Sequence, residues 1–263
     1  MLGTITTTKT DAVTVHTYTA PESGWRASSH LIELPGQLVL VDTPLLPALT
    51  GELLAYAADL GKPIARLYVS HAHPDHYAGI SLINAPAYAL APVRQTVNEF
   101  GAAHLQGAYL MTGHPDIETS SPHIGFAVEA GEEIIDGVRF SFEPVSHAEA
   151  GDQLTIGLPD DAILIAQDVV FNGVHAFLGE KKFDAWIEAL DALEARPYEV
   201  VLPGHGLPGD RGLYAATRAY LTVARDAVGA ADGPADLNRR LISAYPNHTG
   251  TAMQPVQNYF LFA

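Results

Sequence analysis

Apolar positions along the chain recur at strand spacing in some stretches and at helix spacing in others. Residues 12–19 alternate apolar and polar with the period of two that a half-buried strand requires. Ser29–Leu34 and Gln37–Asp42 flank Pro35-Gly36, which predicts a hairpin. Pro47–Leu60, rich in Ala and Leu and closed by Gly61, predicts a helix. Ile64–Ser70 predicts a short buried strand running into His71, and Pro74–Ile80 a helix start with proline in its first turn. Ala87–Ala91 reads as a strand and Pro92–Leu110 as a helix, while Thr112–His123, with its Gly, Pro and Ser, reads as a loop. Strand signals then dominate, at Gly125–Glu129, Val138–Val145, Gln153–Leu158 and Ala162–Ala166. Phe183–Ala195 predicts a helix, and Tyr198–Leu202 a strand running into Pro203-Gly204-His205-Gly206. Leu213–Val228 and Leu237–Tyr245 read as helices. No repeat of solenoid period appears. Two strand-rich parts, each followed by helices, predict an α/β (α+β) fold of two sheets with helices outside.

Composition narrows the chemistry. The chain has 263 residues, enough for one large domain with a full-sized core or two small ones. Hydrophobic residues at 48% and charged residues at 17% give a globular balance and exclude wholesale disorder. The absence of cysteine excludes a disulfide framework, a thiol nucleophile, Cys-ligated zinc and Cys-held iron–sulfur clusters. Thirty acidic against 14 basic residues, a formal charge of −16, weigh against a nucleic-acid partner. No apolar run approaches the ~18 residues of a membrane span. The start, Met1 to Thr10, lacks the apolar core of a secretory signal, so the expected location is the cytoplasm.

Against that background the histidines stand out. Four side chains able to bind a metal fall within six residues, His71-Ala72-His73-Pro74-Asp75-His76, directly after a predicted strand. In an extended turn His71 and His73 point to one side, and Asp75 and His76 open the next element. His147 follows the strand Phe140–Val145, Asp168 follows Ile163–Ala166, and His205, between two glycines, follows Val200–Leu202. Singly, such residues read as turn residues or caps. With the cluster they make seven nitrogen and oxygen donors, enough for two metals.

This ordered set resembles the metallo-β-lactamase superfamily, over roughly Ser29 to Gly206, and Val39-Leu40-Val41-Asp42-Thr43 is similar to the family's first motif. The resemblance implies a four-layer αββα sandwich with its site at one edge of two facing sheets. It implies a single domain over residues 1–263, with a helical insertion at about 91–123 and C-terminal helices at about 209–263. One metal would be held by His71, His73 and His147 and the other by Asp75, His76 and His205, with Asp168 bridging. Asp42 would brace the loop from behind.

Such donors suit two Zn²⁺ ions, with Fe or Mn also admissible. Two ions ~3.5–4 Å apart can share a hydroxide that serves as nucleophile at neutral pH. Asp75 would orient that hydroxide and relay its proton. The expected activity is hydrolysis of an ester, lactone, thioester or amide bond of a small molecule. The alternative within the fold is a mononuclear iron oxidoreductase acting on a persulfide, and a non-catalytic member is a third reading. Asp168 is the bridging carboxylate that true β-lactamases usually lack, so β-lactam hydrolysis is expected only as a side activity.

The chain departs from the family pattern in three places. His147-Ala148-Glu149-Ala150-Gly151-Asp152 replaces the common His-Thr-x-Gly-Ser, Gln167 replaces the usual Gly before the bridging Asp, and Phe171 stands where acyl-homoserine lactonases tend to carry Tyr. Phe171, His175 and Tyr109 are the candidates for substrate contact. His175 also reads as a solvated loop residue, and Tyr109, with Met111 and His114, also as packing. Trp25 and Trp186 read as core, and His16, His30, His104, His123 and His248 as structural or exposed. Arg218, Arg225, Arg239 and Arg240 read as surface charge on helices.

Overall fold

A computed structural model describes residues 1–117 and 121–262; residues 118–120, inside the stretch read as a loop at 112–123, lie outside the described residues. The first sheet runs in sequence order: β1 (Thr4–Lys9), β2 (Thr14–Thr19), β3 (Ser28–Glu33), β4 (Leu38–Val41), β5 (Ile64–Tyr68), β6 (Ala87–Ala89) and β7 (Phe126–Ala127). β1 to β4 form an antiparallel meander, and the hairpin predicted around Pro35-Gly36 pairs Ile32 with Val39. From β4 onward the pairing is parallel. Parallel neighbours require crossovers, and α1 (Pro47–Asp59), α2 (Pro74–Tyr77) and α3 (Ala91–Thr112) supply them. α3 occupies most of the stretch expected to hold a helical insertion and ends at Gly113, whose positive φ of 66° suits a helix C-terminus.

The second sheet has the order β13-β12-β11-β10-β9-β8. Its strands are β8 (Gly131–Ile135), β9 (Val138–Ser146), β10 (Asp152–Leu158), β11 (Ile163–Asn172), β12 (Val200–Gly206) and β13 (Gly209–Asp210). Only β11 and β12 pair in parallel, with α4 (Phe183–Glu194) as their crossover; α5 (Gly212–Ala230), α6 (Pro234–Ala244) and α7 (Gln254–Phe262) follow β13.

Alternation along β11 explains the layering. Ile163 and Ile165 join the core between the two sheets, with Val39 and Val41 of the first sheet and Phe140 and Ile156 of the second. Leu164 and Ala166 point the other way, into a second core with Trp186 and Leu190 of α4 and Tyr214 and Leu221 of α5. A strand buried on both faces reads as an unbroken apolar run, which is how Ile163–Ala166 appears in the sequence. On the outer face of the first sheet, Leu49 and Leu53 of α1 and Val93 and Val97 of α3 are buried. The result is helix, sheet, sheet, helix. Among the described residues no helix is long and apolar enough to cross a membrane.

β1, β8 and α7 are elements the pattern did not single out. Two strands run longer than their apolar cores. β11 continues through Asp168 to Asn172, and its ladder to β12 shifts register on both sides of Gln167, so Asp168 lies at an irregularity inside a strand instead of after its end. β12 likewise carries His205, paired with Phe171.

Candidate metal centre

The sheets meet at the C-terminal ends of β5 and β12. There the backbone N–H of Leu154 on β10 donates to the Ser70 carbonyl at 2.8 Å, and the Ser28 hydroxyl of β3 donates to the Gly206 carbonyl at 2.8 Å. Around this seam six of the seven predicted ligands converge. His71, His76 and His205 are buried, Asp75 and Asp168 nearly so, and His73 is partly open. The Asp168 carboxylate lies between the histidines: Oδ1 is 3.2 Å from His76 Nε2, and Oδ2 is 3.2 Å from His205 Nε2 and 3.8 Å from His71 Nε2. Asp75 Oδ2 lies 3.3 Å from His205 Nε2 and 3.5 Å from His76 Nε2.

His147 is not among them. It is exposed, with φ at 59°, in the tight β9–β10 turn where its N–H donates to the Gly151 carbonyl at 3.0 Å. That turn directs the side chain two residues further on into the cluster. Glu149 is 1% exposed, with Oε1 3.0 Å from His73 Nδ1 and Oε2 3.6 Å from His71 Nε2. Gln153 Nε2 donates to Glu149 Oε2 at 3.1 Å. The only sequence signal for Glu149 was the departure of 147–152 from the family pattern.

Three groups of donors have ligand atoms within 4.8 Å of one another: His71, His73, Glu149 and Asp168; Asp75, His76 and His205; and Asp42, His71 and His76, in which Asp42 lies behind the His76 ring, on its Nδ1. His71 Nε2, His76 Nε2, Asp75 Oδ2, Asp168 Oδ1 and Glu149 Oε1 are buried without a hydrogen-bond partner. Leaving buried polar atoms unpaired is costly, and five such atoms facing one space fit divalent cations.

Hydrogen bonds behind the cluster fix which ring nitrogen faces it. His76 Nδ1 donates to Asp42 Oδ2 at 2.8 Å, because a carboxylate only accepts. His205 Nδ1 donates to the Trp25 carbonyl at 2.8 Å. The single proton of the Ser70 hydroxyl goes to Asp42 Oδ2 at 2.6 Å, so Ser70 Oγ accepts from His71 Nδ1 at 2.8 Å. In the neutral form of each of the three histidines Nε2 is then the nitrogen that carries the lone pair, and it faces the cluster, the arrangement that partners behind a metal ligand enforce.

Asp42 has φ at 61° and also accepts from the Ser70 N–H at 2.7 Å. A fourth donor is Gln167 Nε2. Gln167 itself has φ at 46°, which explains why glycine is the usual residue there. Its Oε1 accepts from His30 Nε2 at 2.9 Å, and His30 Nδ1 meets the Thr17 hydroxyl at 2.9 Å. The glycine before His205 has its own cause: a Cβ on Gly204 would collide with the Asp168 side chain and with the backbone of Gln167 and Asp168.

Electrostatics follow from burial and from mutual charge. Burial pushes the Glu149 carboxyl up to about 7, against the pull of His73. Burial opposes ionisation of Asp168 too, yet His76, His205 and His71 hold it well below the usual carboxylate range. Asp75 is lowered for the same reason, by His76 and His205. Desolvation opposes a charged His205, but Asp168 and Asp75 raise it to about 10. His71 is driven down by burial and by His76.

The three residues predicted to touch substrate do not line the space above the cluster. Phe171 stacks on the His205 ring from behind, centroids 5.0 Å apart and planes at 8°. His175 is buried, with Nδ1 3.2 Å from the Tyr220 hydroxyl and its ring beside His248. Tyr109 is exposed on α3. Met111, His104 and Trp25 do line that space.

An αββα sandwich with a His/Asp/Glu cluster at its open edge defines a metallo-hydrolase-like protein. The sequence profile of the metallo-beta-lactamase superfamily matches residues 23–205, and the chain belongs to that superfamily. The linear primary-alkylsulfatase of Pseudomonas sp. (strain ATCC 19151) is 24% identical over 218 residues, 68% of this chain and 41% of the relative. The chain therefore spans well under half the length of this curated relative. Among solved structures, a metallo-beta-lactamase from Pontibacter korlensis is similar at TM-score 0.62 and 21% identity, covering 83% of this chain and 99% of the other. The metallo-beta-lactamase FIM-1 from Pseudomonas aeruginosa, in its mono-zinc form, is similar at 0.62 and 20%, covering 86% and 97%.

Proposed function

We propose that the protein is a dinuclear metal-dependent hydrolase attacking an ester, lactone, thioester or amide bond of a small molecule. One observation carries this reading: five buried, unpaired donor atoms gather where Asp168, of the group with His71, His73 and Glu149, also lies 3.2 Å from both His76 Nε2 and His205 Nε2 of the other. Nitrogen and oxygen donors suit zinc, with iron and manganese as the other candidates. Glu149 takes the role expected of His147, beside His71 and His73, while Asp75, His76 and His205 form the second group. When bound, such ions supply Lewis acidity and make water acidic enough to act as a nucleophile at neutral pH.

The chain's own groups supply orientation and proton handling. Ser70, Asp42 and the Trp25 carbonyl hold the three imidazoles in one tautomer. Asp75, whose Oδ2 lies 3.3 Å from His205 Nε2 and 3.5 Å from His76 Nε2, orients the attacking water and takes up its proton, then returns it to the leaving group as the scissile bond breaks.

Metal analysis of protein prepared with zinc available tests the reading. The expected result is two bound ions, loss of one in Glu149→Ala and retention of both in His147→Ala. Activity on a panel of carboxylic esters, lactones, thioesters, β-lactams and sulfate esters is expected to need the metal and to vanish in Asp168→Ala. Less than one ion per chain together with chelator-insensitive turnover overturns the proposal. One observation favours a second reading: in the group His71, His73, Glu149 and Asp168, two histidines and one of the carboxylates make the donor combination of non-haem iron oxygenases. Iron content with oxygen uptake on a persulfide would select it; the full second group favours the hydrolase.

A further inference from the structure

A cavity of about 440 Å³ opens onto the cluster, with His73, Asp75, Glu149 and Asp168 at its floor. Its walls are apolar. Val93, Ala108 and Met111 of α3 form one side, and Met253 and Val256, around the start of α7, form the other. Phe177 joins wall to floor: its ring meets His73 edge-on at 5.2 Å and Phe260 of α7 at 5.7 Å. Among the described residues no lysine or arginine lines the cavity. Beside the imidazoles of His73 and His104, the ionisable groups there are mainly carboxylates, Asp152 and Glu180 joining the three at the floor.

That charge pattern decides between substrate classes. A multiply anionic body, such as a sugar phosphate or a peptide with free carboxylates, finds no lysine or arginine along the walls and meets Asp152 and Glu180 there. An uncharged apolar body covers Val93, Met111 and Val256 and gains free energy in proportion to the area removed from water. We propose that the space between α3 and α7 is a subsite for an uncharged, elongated alkyl or aryl group, whose ester-type linkage lies over the metal cluster. This rests on the hydrolase reading for the linkage alone; the subsite stands on the cavity wall.

Gly107 offers a clean probe. It lines the cavity from α3, and a Cβ there would meet only the end of Met111, at 3.6 Å. Gly107→Leu therefore adds apolar bulk to the α3 wall from a position that accepts a Cβ, and replacing a mid-helix glycine favours the helix. The first measurement uses straight-chain primary alcohols from butanol to decanol, which carry the tail and no scissile bond, by calorimetry on metal-stripped and zinc-loaded protein. Affinity is expected to rise about fourfold per methylene, equally with and without zinc, up to a limiting length. That limit is expected to be shorter in Gly107→Leu. Affinity independent of chain length, or a limit unmoved by Gly107→Leu, overturns the subsite.

The second measurement is turnover by zinc-loaded protein of alkyl carboxylic esters and alkyl sulfate esters of matched chain length. Falling KM with length in either series supports the subsite and identifies the linkage. Turnover of short esters with no length dependence overturns the subsite and leaves the hydrolase reading intact. No turnover of either series, with the alcohol series behaving as expected, overturns the ester-type linkage over the cluster and upholds the subsite.

Discussion

Gln167 is the residue whose replacement most directly tests the network behind the cluster. Its side chain is buried, donates to Asp42 and accepts from His30, while its backbone sits at φ 46°. Removing the amide deprives a carboxylate of one of four donors, worth about 1.5–3 kcal/mol for a charged partner, and strands the His30 N–H at a further ~1–3 kcal/mol. Gln167→Ala loses both and keeps the left-handed backbone, so the expected destabilisation is about 3–5 kcal/mol. Gln167→Gly loses the same bonds but relieves a strain of about 1–2 kcal/mol, partly offset by the glycine's extra freedom when unfolded, about 0.5–1 kcal/mol. It should therefore be the milder change, by up to about 1.5 kcal/mol. Gln167→Glu sets a second carboxylate against Asp42 and should be the worst of the three at neutral pH, recovering on acidification as a shared proton bridges the pair. Urea unfolding of chelator-treated protein at constant slope provides the assay. Glycine no better than alanine would refute the backbone argument. Alanine costing under about 1 kcal/mol would refute the buried network.

Further expectations follow from the same geometry. Gly204→Ala forces Asp168 or its backbone aside, so it should cost about 3 kcal/mol or more, with loss of bound metal, read by thermal unfolding and metal analysis. Burial lowers the His30 imidazole to about 4 from an ordinary 6.5, so the unfolded chain binds the extra proton first. That penalty is absent above pH 6.5 and grows as pH falls toward 4, reaching about 3 kcal/mol; in His30→Gln the stability lost between pH 7 and 4 should shrink by that amount. Chelation should abolish turnover and lower the unfolding temperature, and ion at a thousand times its Kd should restore about 4 kcal/mol. Because Asp168 and Asp75 hold a proton on His205 up to about 10 in the metal-free protein, loading should expel protons and tighten as pH rises. Calorimetry in two buffers of different ionisation enthalpy measures that release.

What the sequence could disclose was what local spacing controls. The run from His71 to His76 is read by counting, and the strands that deliver Asp168 and His205 announce themselves as apolar runs. Glu149 escaped because its place depends on a tight turn that turns His147 outward, a backbone event with no period to detect. Gln167 was visible only as an oddity, since its partners Asp42 and His30 lie 125 and 137 residues away. The cavity walls escaped for the same reason: α3 and α7 meet through tertiary packing, and no pattern within either helix says which face the other will see. Phe171 and His175 lie close to Asp168 in sequence, and Tyr109 in the segment between two motifs, yet all three are behind or outside the site in space. Both departures from the family pattern at 147–152 and at 167 proved to be where this chain builds its own solution.

The two donor groups draw on both halves of the sandwich. His71, His73, Asp75 and His76 follow a strand of the first sheet, while Glu149, Asp168 and His205 belong to the second. An ion shared between them would therefore act as a clasp across the seam, closing chain segments of roughly 75 to 130 residues as a cross-link does. In a chain without cysteine it is the strap through which chemistry can fasten one sheet to the other. Amide exchange in the metal-free protein should then quicken first at the facing ends of β5, β10 and β12, with the outer strands still protected.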